Sequence, residues 1–135
     1  MRVFLDTNVL VSAFASRGLC AEVLDLVLLD HDLILGRNVL RELKRALREK
    51  VKLPVVRSAE IVDFVSSEAT QIVDKSEPAI ASIDAADALV LGEALASHAD
   101  LFVTGDSALL RLAAVGALKI VSPRQFWEVL RAGNG

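Results

Sequence analysis

Four acidic residues, far apart in the chain, could together form one catalytic site: Asp6, Glu42, Asp87 and Asp106. If the fold brings their carboxylates together, they would repel one another and raise each other's pKa values, and a divalent cation would relieve that repulsion. All-oxygen ligation suits Mg²⁺ or Mn²⁺ rather than Zn²⁺, since Cys20 and the two histidines lack metal-ligand spacing. Such a site can activate a water and hold the attacking and leaving oxygens of a phosphodiester.

Asp6 and Asp106 each also suit a simpler structural role. Each precedes an apolar helical segment, and Asp is a favoured helix N-cap. Thr7 and Asn8 could cap the first helix instead, which would leave Asp6 available to point elsewhere. Thr104 offers a hydroxyl that could orient the carboxylate of Asp106. Both roles therefore stay open on the sequence alone.

Asp87 and Glu42 lie within predicted helices. Asp87 shares a helix face with Val90 and Leu91, which we expect to pack on a sheet, and an inward-facing carboxylate is costly unless it is paired or binds a metal. The alternative is that Asp87 assists Asp84 in capping that helix. Glu42 lies on a helix flank, where Glu is usually exposed, so it is a candidate only together with the other three acids.

A basic segment surrounds Glu42 in the sequence. Residues 37–57 carry eight basic and two acidic side chains, a net charge of +6 in a chain of net charge −3. Within it Arg41, Lys44 and Arg48, here called the basic stripe, belong to a basic helix face centred roughly 115° around the helix from Glu42. The basic stripe could contact nucleic-acid phosphates even though the whole molecule is acidic. It could equally be a solvated helix face.

Short apolar strands alternate with helices along the chain. The predicted strands are 2–5, 33–35, 72–73, 101–104 and 118–121; the predicted helices are 9–15, 19–29, 36–50, 58–68, 84–98, 107–114 (ended by Gly116) and one from Pro123 to about Arg131. Residues 74–83 form a predicted loop, and 133–135 a flexible tail after one domain over 1–132. Strands without a period of two predict an α/β fold, a parallel sheet flanked by helices on both faces.

Parallel sheets of this kind bind ligands beyond the carboxyl ends of their strands, where the strand order reverses. Asp6 directly follows the first predicted strand, and Asp106 follows the strand at 101–104 after a single glycine. We therefore expect these two acids at the same edge of the sheet.

Composition excludes several other classes. The chain of 135 residues is 53% hydrophobic, which suits a folded domain with a sizeable core. It has only one cysteine and no stretch near the roughly 20 apolar residues that a membrane span needs, so we expect a cytoplasmic protein without membrane contact. Aromatic residues are only 4%, which argues against recognition by base stacking.

The sequence resembles the PIN domain family over nearly its whole length. Residues 3–10, Val-Phe-Leu-Asp-Thr-Asn-Val-Leu, look like the family's first strand and first acid. Leu-Arg-Glu-Leu (40–43) and Asp-Ala-Ala-Asp-Ala-Leu (84–89) look like the helices that bear its second and third acids. Val-Thr-Gly-Asp (103–106) resembles the strand end that carries the fourth.

The resemblance implies a single PIN-like α/β domain with Mg²⁺- or Mn²⁺-dependent endoribonuclease activity, commonly a homodimer. Small members are often VapC-type toxins that pair with an antitoxin protein. Asp6, Glu42, Asp87 and Asp106 would be the catalytic and metal-binding acids, supported by Asn8 and Thr104. Many toxin-like members have a further acid after the last Asp, where this chain has Ser107, Ala108 and Leu109. That departure leaves fewer ligands for a second metal ion and favours a resting state with one, while a two-metal mechanism stays open.

Three other classes compete with this interpretation. A phosphatase of the haloacid dehalogenase type needs a second Asp two residues after the first, where this chain has Asn8. A response-regulator receiver domain needs an acid pair after its first strand, where only Asp6 is present. The remaining alternative is a non-catalytic PIN-like module that binds RNA or a partner protein, and metal-dependent cleavage of RNA would distinguish it.

Overall fold

A computed structural model describes residues 1–74, 77–80 and 83–134. Its strands are β1 (Arg2–Leu5), β2 (Asp32–Gly36), β3 (Gln71–Val73), β4 (Leu101–Val103), β5 (Ala114–Val115) and β6 (Leu118–Val121). Its helices are α1 (Thr7–Ala15), α2 (Leu19–Asp30), α3 (Arg37–Glu49), α4 (Val55–Glu68), α5 (Ala85–Ala96), α6 (Ser107–Leu110) and α7 (Pro123–Asn134). None of the helices in the described ranges is long and apolar enough to cross a membrane.

The six strands form one sheet in the order β3-β2-β1-β4-β6-β5. Every pairing is parallel except that of β5 with β6, so the predicted α/β fold class is confirmed, with one antiparallel edge strand. The chain builds outward from β1 through β2 to β3, and then returns to place β4 on the other side of β1. The strand order therefore reverses between β1 and β4, the position at which such sheets bind ligands.

The two strands at this reversal are buried on both faces. Val3, Phe4 and Leu5 of β1 are inaccessible to solvent, as are Phe102 and Val103 of β4. The rings of Phe4 and Phe102 stack with their centroids 5.4 Å apart. Burial on both faces explains why these strands show no alternation of apolar and polar residues. The acids that follow β1 and β4 thus extend from buried, closely packed strands.

Helix α3 has the predicted amphipathic character. Val39, Leu40, Leu43, Ala46 and Leu47 are buried, and all three residues of the basic stripe are exposed. Its successor α4 begins at Val55, directly after Pro54, three residues earlier than the sequence predicts. Proline has no backbone N–H to donate. The amides at the start of a helix have no intrahelical acceptor, so a proline at this position removes no helical hydrogen bond.

The prediction of a helix over 107–114 is wrong in its second half. Helix α6 ends at Leu110, and Ala114–Val115 instead form β5, which pairs with β6 across a turn. Ala113 and Gly116 have φ values of 62° and 59°, left-handed conformations that end the helix and reverse the chain. Gly116 therefore lies in the turn between β5 and β6 and does not end a helix.

The remaining boundaries differ by a few residues from those predicted. Helix α7 continues to Asn134, beyond its expected end near Arg131. Residues 75, 76, 81 and 82 of the expected loop, and residue 135 of the expected tail, lie outside the described residues.

Candidate active site

A cavity of about 360 Å³ opens where β1 and β4 end, at the reversal of strand order. Its polar lining consists of all four predicted acids together with four further side chains: Asp6, Glu42, Asp87, Asp106, Thr7, Asn8, Ser12 and Lys50. The acids come from four separate elements, so the cavity exists only in the folded chain. Among the described residues no thiol or imidazole lines it, and a set of carboxylate oxygens suits a hard cation such as Mg²⁺ or Mn²⁺.

Asp6 both caps a helix and lines the cavity, so capping does not prevent its carboxylate from facing the site. It is the N-cap of α1, and its Oδ1 accepts a hydrogen bond of 2.8 Å from the amide of Thr7. Its Oδ2 accepts from the hydroxyl of Thr104 at 2.8 Å and from Nδ2 of Asn8 at 3.1 Å. Asp6 is 8% exposed. Three donors therefore fix a nearly buried carboxylate in one orientation.

Asn8 and Thr104, predicted as supporting residues, connect the ends of the two central strands. Besides contacting Asp6, the side-chain oxygen of Asn8 accepts from the amide of Gly105 at 2.8 Å. The hydroxyl of the fully buried Thr104 accepts from the amide of Asp106 at 3.0 Å. Both residues thus hold the loop after β4 against the loop after β1.

Asp106 and Asp84 act as helix caps, whereas Asp87 is not needed for that task. The carboxylate of Asp106 accepts from the amide of Ala108 at the start of α6. Asp84 accepts from the amides of Ala86 and Asp87 at the start of α5, as the sequence indicated for Asp84. The partly buried Asp87 carboxylate lines the cavity.

Three of the acids are close enough to perturb one another electrostatically. Burial raises the pKa of Asp87, and the charges of Asp106, Asp84 and Asp6 raise it further. Burial also raises the pKa of Asp6; its hydrogen bonds oppose that shift, and the charge of Asp106 adds to it. The fold has therefore gathered carboxylates whose ionised forms are disfavoured, which is the electrostatic condition that a bound cation relieves.

Glu42 lines the same cavity but its carboxylate is turned toward a neighbour on α3. It forms an ion pair with Arg45 at 2.9 Å, and half of its side chain is exposed. Within the described ranges no three Asp, Glu, His or Cys side chains are arranged as a ready-made metal site. An exposed ion pair of this kind contributes only about 0–1 kcal/mol, so Glu42 can leave Arg45 at small cost.

Lys50 is a cavity residue that the sequence did not lead us to assign to the site. It lies at the end of α3, and it lines the cavity together with Glu42 and Ala46. Positions 42, 46 and 50 are spaced by four residues, so helical periodicity from Glu42 could have identified Lys50. Its ammonium group supplies a positive charge at an otherwise acidic site.

The basic stripe lines a second and larger cavity, of about 580 Å³, between α3 and the start of α4. Arg41, Lys44 and Arg48 share it with Arg45, with one acid, Glu49, and with the apolar side chains of Leu53, Pro54 and Val55. We call this cavity the basic groove. It contains none of the four acids of the first cavity, and the pair Glu42–Arg45 has one member in each.

The fold and the first cavity define a mostly parallel α/β domain with a carboxylate-rich site at the reversal of its strand order. The chain belongs to the PIN domain family, whose model matches residues 2–108 and so includes all four acids.

Solved structures show the same fold at low sequence identity. A chain of the crystal structure of VapBC2 from Rickettsia felis, bound to a DNA fragment from its promoter, has a TM-score of 0.65 and 18% identity, covering 90% of this chain and 98% of that one. A chain of VapBC-1 from nontypeable Haemophilus influenzae has a TM-score of 0.66 and 15% identity, covering 92% and 99%. No curated protein matches the chain in sequence.

The raised pKa of Asp87 predicts how the stability of the metal-free protein depends on pH. A carboxyl whose pKa is higher in the folded than in the unfolded state favours folding while it is protonated, and that contribution is lost as pH rises through the folded pKa. In EDTA, Asp87→Asn should therefore be more stable than the wild type at pH 7, and the difference should shrink toward pH 4. Urea unfolding across this range measures it.

Asp63→Asn is the matched control, since Asp63 is an exposed acid on α4 outside the cavity. Its stability should stay close to that of the wild type, because an exposed carboxyl away from the cavity does not face the other acids. If Asp87→Asn behaves like Asp63→Asn, the repulsion between carboxylates inferred here is absent.

Proposed function

We propose that this protein is a Mg²⁺- or Mn²⁺-dependent endoribonuclease that hydrolyses RNA phosphodiester bonds and acts as the toxin of a toxin–antitoxin pair. The observation that carries the proposal is the convergence of Asp6, Glu42, Asp87 and Asp106 on one cavity at the strand reversal. Membership of the PIN domain family supports the nuclease class.

The four acids would hold the cation, with Asp6 as the fixed member and Glu42 as the member that changes partner. A bound divalent cation supplies charge neutralisation at the phosphate and a water of lowered pKa. Asp6 suits its role because three donors already orient its two oxygens. Lys50, at the rim, would pair with a phosphate oxygen and compensate for the negative charge that the acids present to RNA.

Hydrolysis adds the oxygen of a water to phosphorus and breaks one of the two P–O ester bonds. One proton leaves the attacking water, and the departing ribose oxygen gains one. We assign the first transfer to the carboxylate of Asp87, which lines the cavity and is not needed as a helix cap. Asn8 and Thr104 hold Asp6 and the Asp106 loop in place during the step.

The basic groove would carry the RNA strand next to the acidic cavity. The three residues of the basic stripe can neutralise phosphates, and the apolar side chains of Leu53, Pro54 and Val55 that also line the basic groove can lie against the ribose and base. Both cavities lie on α3, so a strand in the basic groove approaches the acids across the pair Glu42–Arg45.

We also propose an antitoxin protein as partner and a homodimer as the assembled state. Both similar solved structures are VapBC structures, which supports the antitoxin; the homodimer rests on the family resemblance. Light scattering of the protein, alone and with the product of a neighbouring gene, tests both.

One observation favours the alternative of a non-catalytic module that binds RNA or protein. Glu42 is paired with Arg45, and in the described part of the chain the acids do not already form a metal site. A module of this kind would bind RNA without cleaving it at any concentration of Mg²⁺ or Mn²⁺.

Cleavage of RNA by the purified protein should require Mg²⁺ or Mn²⁺, and Asp87→Asn should lower the rate by roughly 100-fold or more because it removes a ligand. RNA binding by this variant should be unchanged or tighter, because it removes a negative charge that faces phosphate. Initial rates on a fluorescent RNA and its binding by anisotropy measure the two effects.

Asp63→Asn, which makes the same charge change away from the cavity, should cleave at the wild-type rate. Metal-dependent cleavage that survives Asp87→Asn would remove Asp87 from the site. Absence of cleavage by the wild type with either metal would favour the binding module.

The basic stripe predicts the salt dependence of RNA binding. Replacing Arg41, Lys44 and Arg48 with Ala in the Asp87→Asn background, where RNA stays intact, should weaken binding. The slope of log affinity against log salt should become shallower by roughly 0.7 for each phosphate that the variant no longer neutralises. Replacing Lys119, Arg124 and Arg131 with Ala removes the same charge away from the basic groove and should leave the slope nearly unchanged. Equal slopes in the two triple variants would show that the basic stripe only faces water.

A further inference from the structure

Glu93 is a buried carboxyl group that the proposed reaction does not use. It lies near the end of α5 and is completely inaccessible to solvent. It is the only charged residue between positions 88 and 97, a stretch that is otherwise mostly apolar. A charge in such surroundings is retained only where a specific partner compensates for its burial.

Its partner is the start of α3. Oε2 of Glu93 accepts a hydrogen bond of 3.1 Å from the amide of Asn38 in the first turn of α3. The N-cap of α3 is Gly36, which has no side chain to bond to these amides. A Cβ on Gly36 would collide with the carboxyl of Glu93. The cap that α3 cannot make for itself is therefore supplied from α5, in the space that glycine leaves open.

Hydrogen bonds and a nearby positive charge offset part of the cost of burying the carboxylate of Glu93. Burial raises the pKa of Glu93, while the donors of Asn38 and Arg37 and the charge of Arg41 act in the opposite direction. The positive end of the α3 dipole also favours a carboxylate here. Oε1 of Glu93 has no hydrogen-bond partner within the described ranges.

The contact joins the two helices that carry Asp87 and Glu42. Glu93 lies six residues after Asp87 on α5, and Asn38 lies four residues before Glu42 on α3. Helix α5 also packs against β2, whose last residue is Gly36. A shift of α3 relative to α5 would change the separation of the two acids across the cavity.

We propose that Glu93 is a positioning residue for the metal site: by capping α3 from α5 it fixes Glu42 relative to Asp87. This inference rests on the proposed function, since it assumes that these acids bind a common cation. The competing explanation is that Glu93 merely caps α3 and stabilises the fold, with no effect on the site beyond stability.

Mn²⁺ binding, followed by the electron paramagnetic resonance signal of the free ion, distinguishes the two explanations without using activity. It should be measured well below each variant's melting temperature. Glu93→Ala removes the cap, and Glu93→Gln keeps an oxygen that can accept from Asn38. Gly36→Ser in the Glu93→Ala background gives α3 a cap of its own, since Ser is a favoured N-cap, but does not restore the link to α5.

We expect Glu93→Ala to melt at a lower temperature and to bind Mn²⁺ roughly tenfold more weakly, at the low end of what outer-shell changes cost. Glu93→Gln should bind within about twofold of the wild type. Gly36→Ser with Glu93→Ala should recover melting temperature but not Mn²⁺ affinity. Gly36→Ala keeps the carboxyl of Glu93 but displaces it, because the added Cβ would occupy its place. It should therefore weaken Mn²⁺ binding as Glu93→Ala does. It takes the place of Glu93→Ala in the experiment if Glu93→Ala does not fold.

Val27→Ala supplies the control for reduced stability, because Val27 is a buried core residue of α2 outside the acidic cavity. It should lower the melting temperature and leave Mn²⁺ affinity unchanged. The proposal is overturned if Glu93→Ala binds Mn²⁺ like the wild type, or if Gly36→Ser restores affinity together with stability. A wild type that binds no Mn²⁺ would instead overturn the proposed function, and this inference with it.

Discussion

Carboxylates gathered at one end of a parallel sheet repel one another, and burial disfavours their ionised forms still further. Asp6 and Asp87 experience both effects, and Asp106 contributes to each. A fold that places them together must hold them there against that repulsion. It does so with a dense set of donors around Asp6, from Thr7, Asn8 and Thr104. These hydrogen bonds hold the carboxylate of Asp6 close to the other acids despite their repulsion, which a bound cation would offset.

The sheet provides the rigidity that this arrangement needs. Strands β1 and β4 are buried on both faces and end side by side, with Leu5 paired with Val103, so the loops that follow them have little freedom. The other two acids come from α3 and α5, which pack on β2 and on each other. Their placement therefore depends on contacts between these helices, among them the hydrogen bond from the amide of Asn38 to Glu93.

The sequence predicts best the site residues that are placed by their immediate neighbours in the chain. Asp6 and Asp106 could be predicted at one sheet edge because each follows an apolar strand, and this expectation agrees with the structure. The contact between Glu93 and Gly36 could not be predicted, because the two residues are 57 positions apart and a glycine does not reveal which side chain packs against it. The only indication in the sequence was that Glu93 is the single charged residue in an apolar stretch of α5. The partner of Glu42 was equally hidden, since an exposed Glu on a basic helix has several possible neighbours. The hairpin of β5 depends on left-handed conformations at Ala113 and Gly116, which apolar periodicity does not reveal.

Anomalous diffraction from crystals of the wild-type protein soaked in Mn²⁺, recorded at the manganese absorption edge, would locate the cation directly. We predict a peak inside the cavity bounded by the four acids, within about 2.0–2.6 Å of oxygens from Asp6 and at least one other of them. Glu42 should have left Arg45 to face that peak. A fully occupied Mn²⁺ elsewhere, or a cavity that holds no cation at saturating Mn²⁺ while Glu42 stays paired with Arg45, would contradict the assignment of these acids as a metal site.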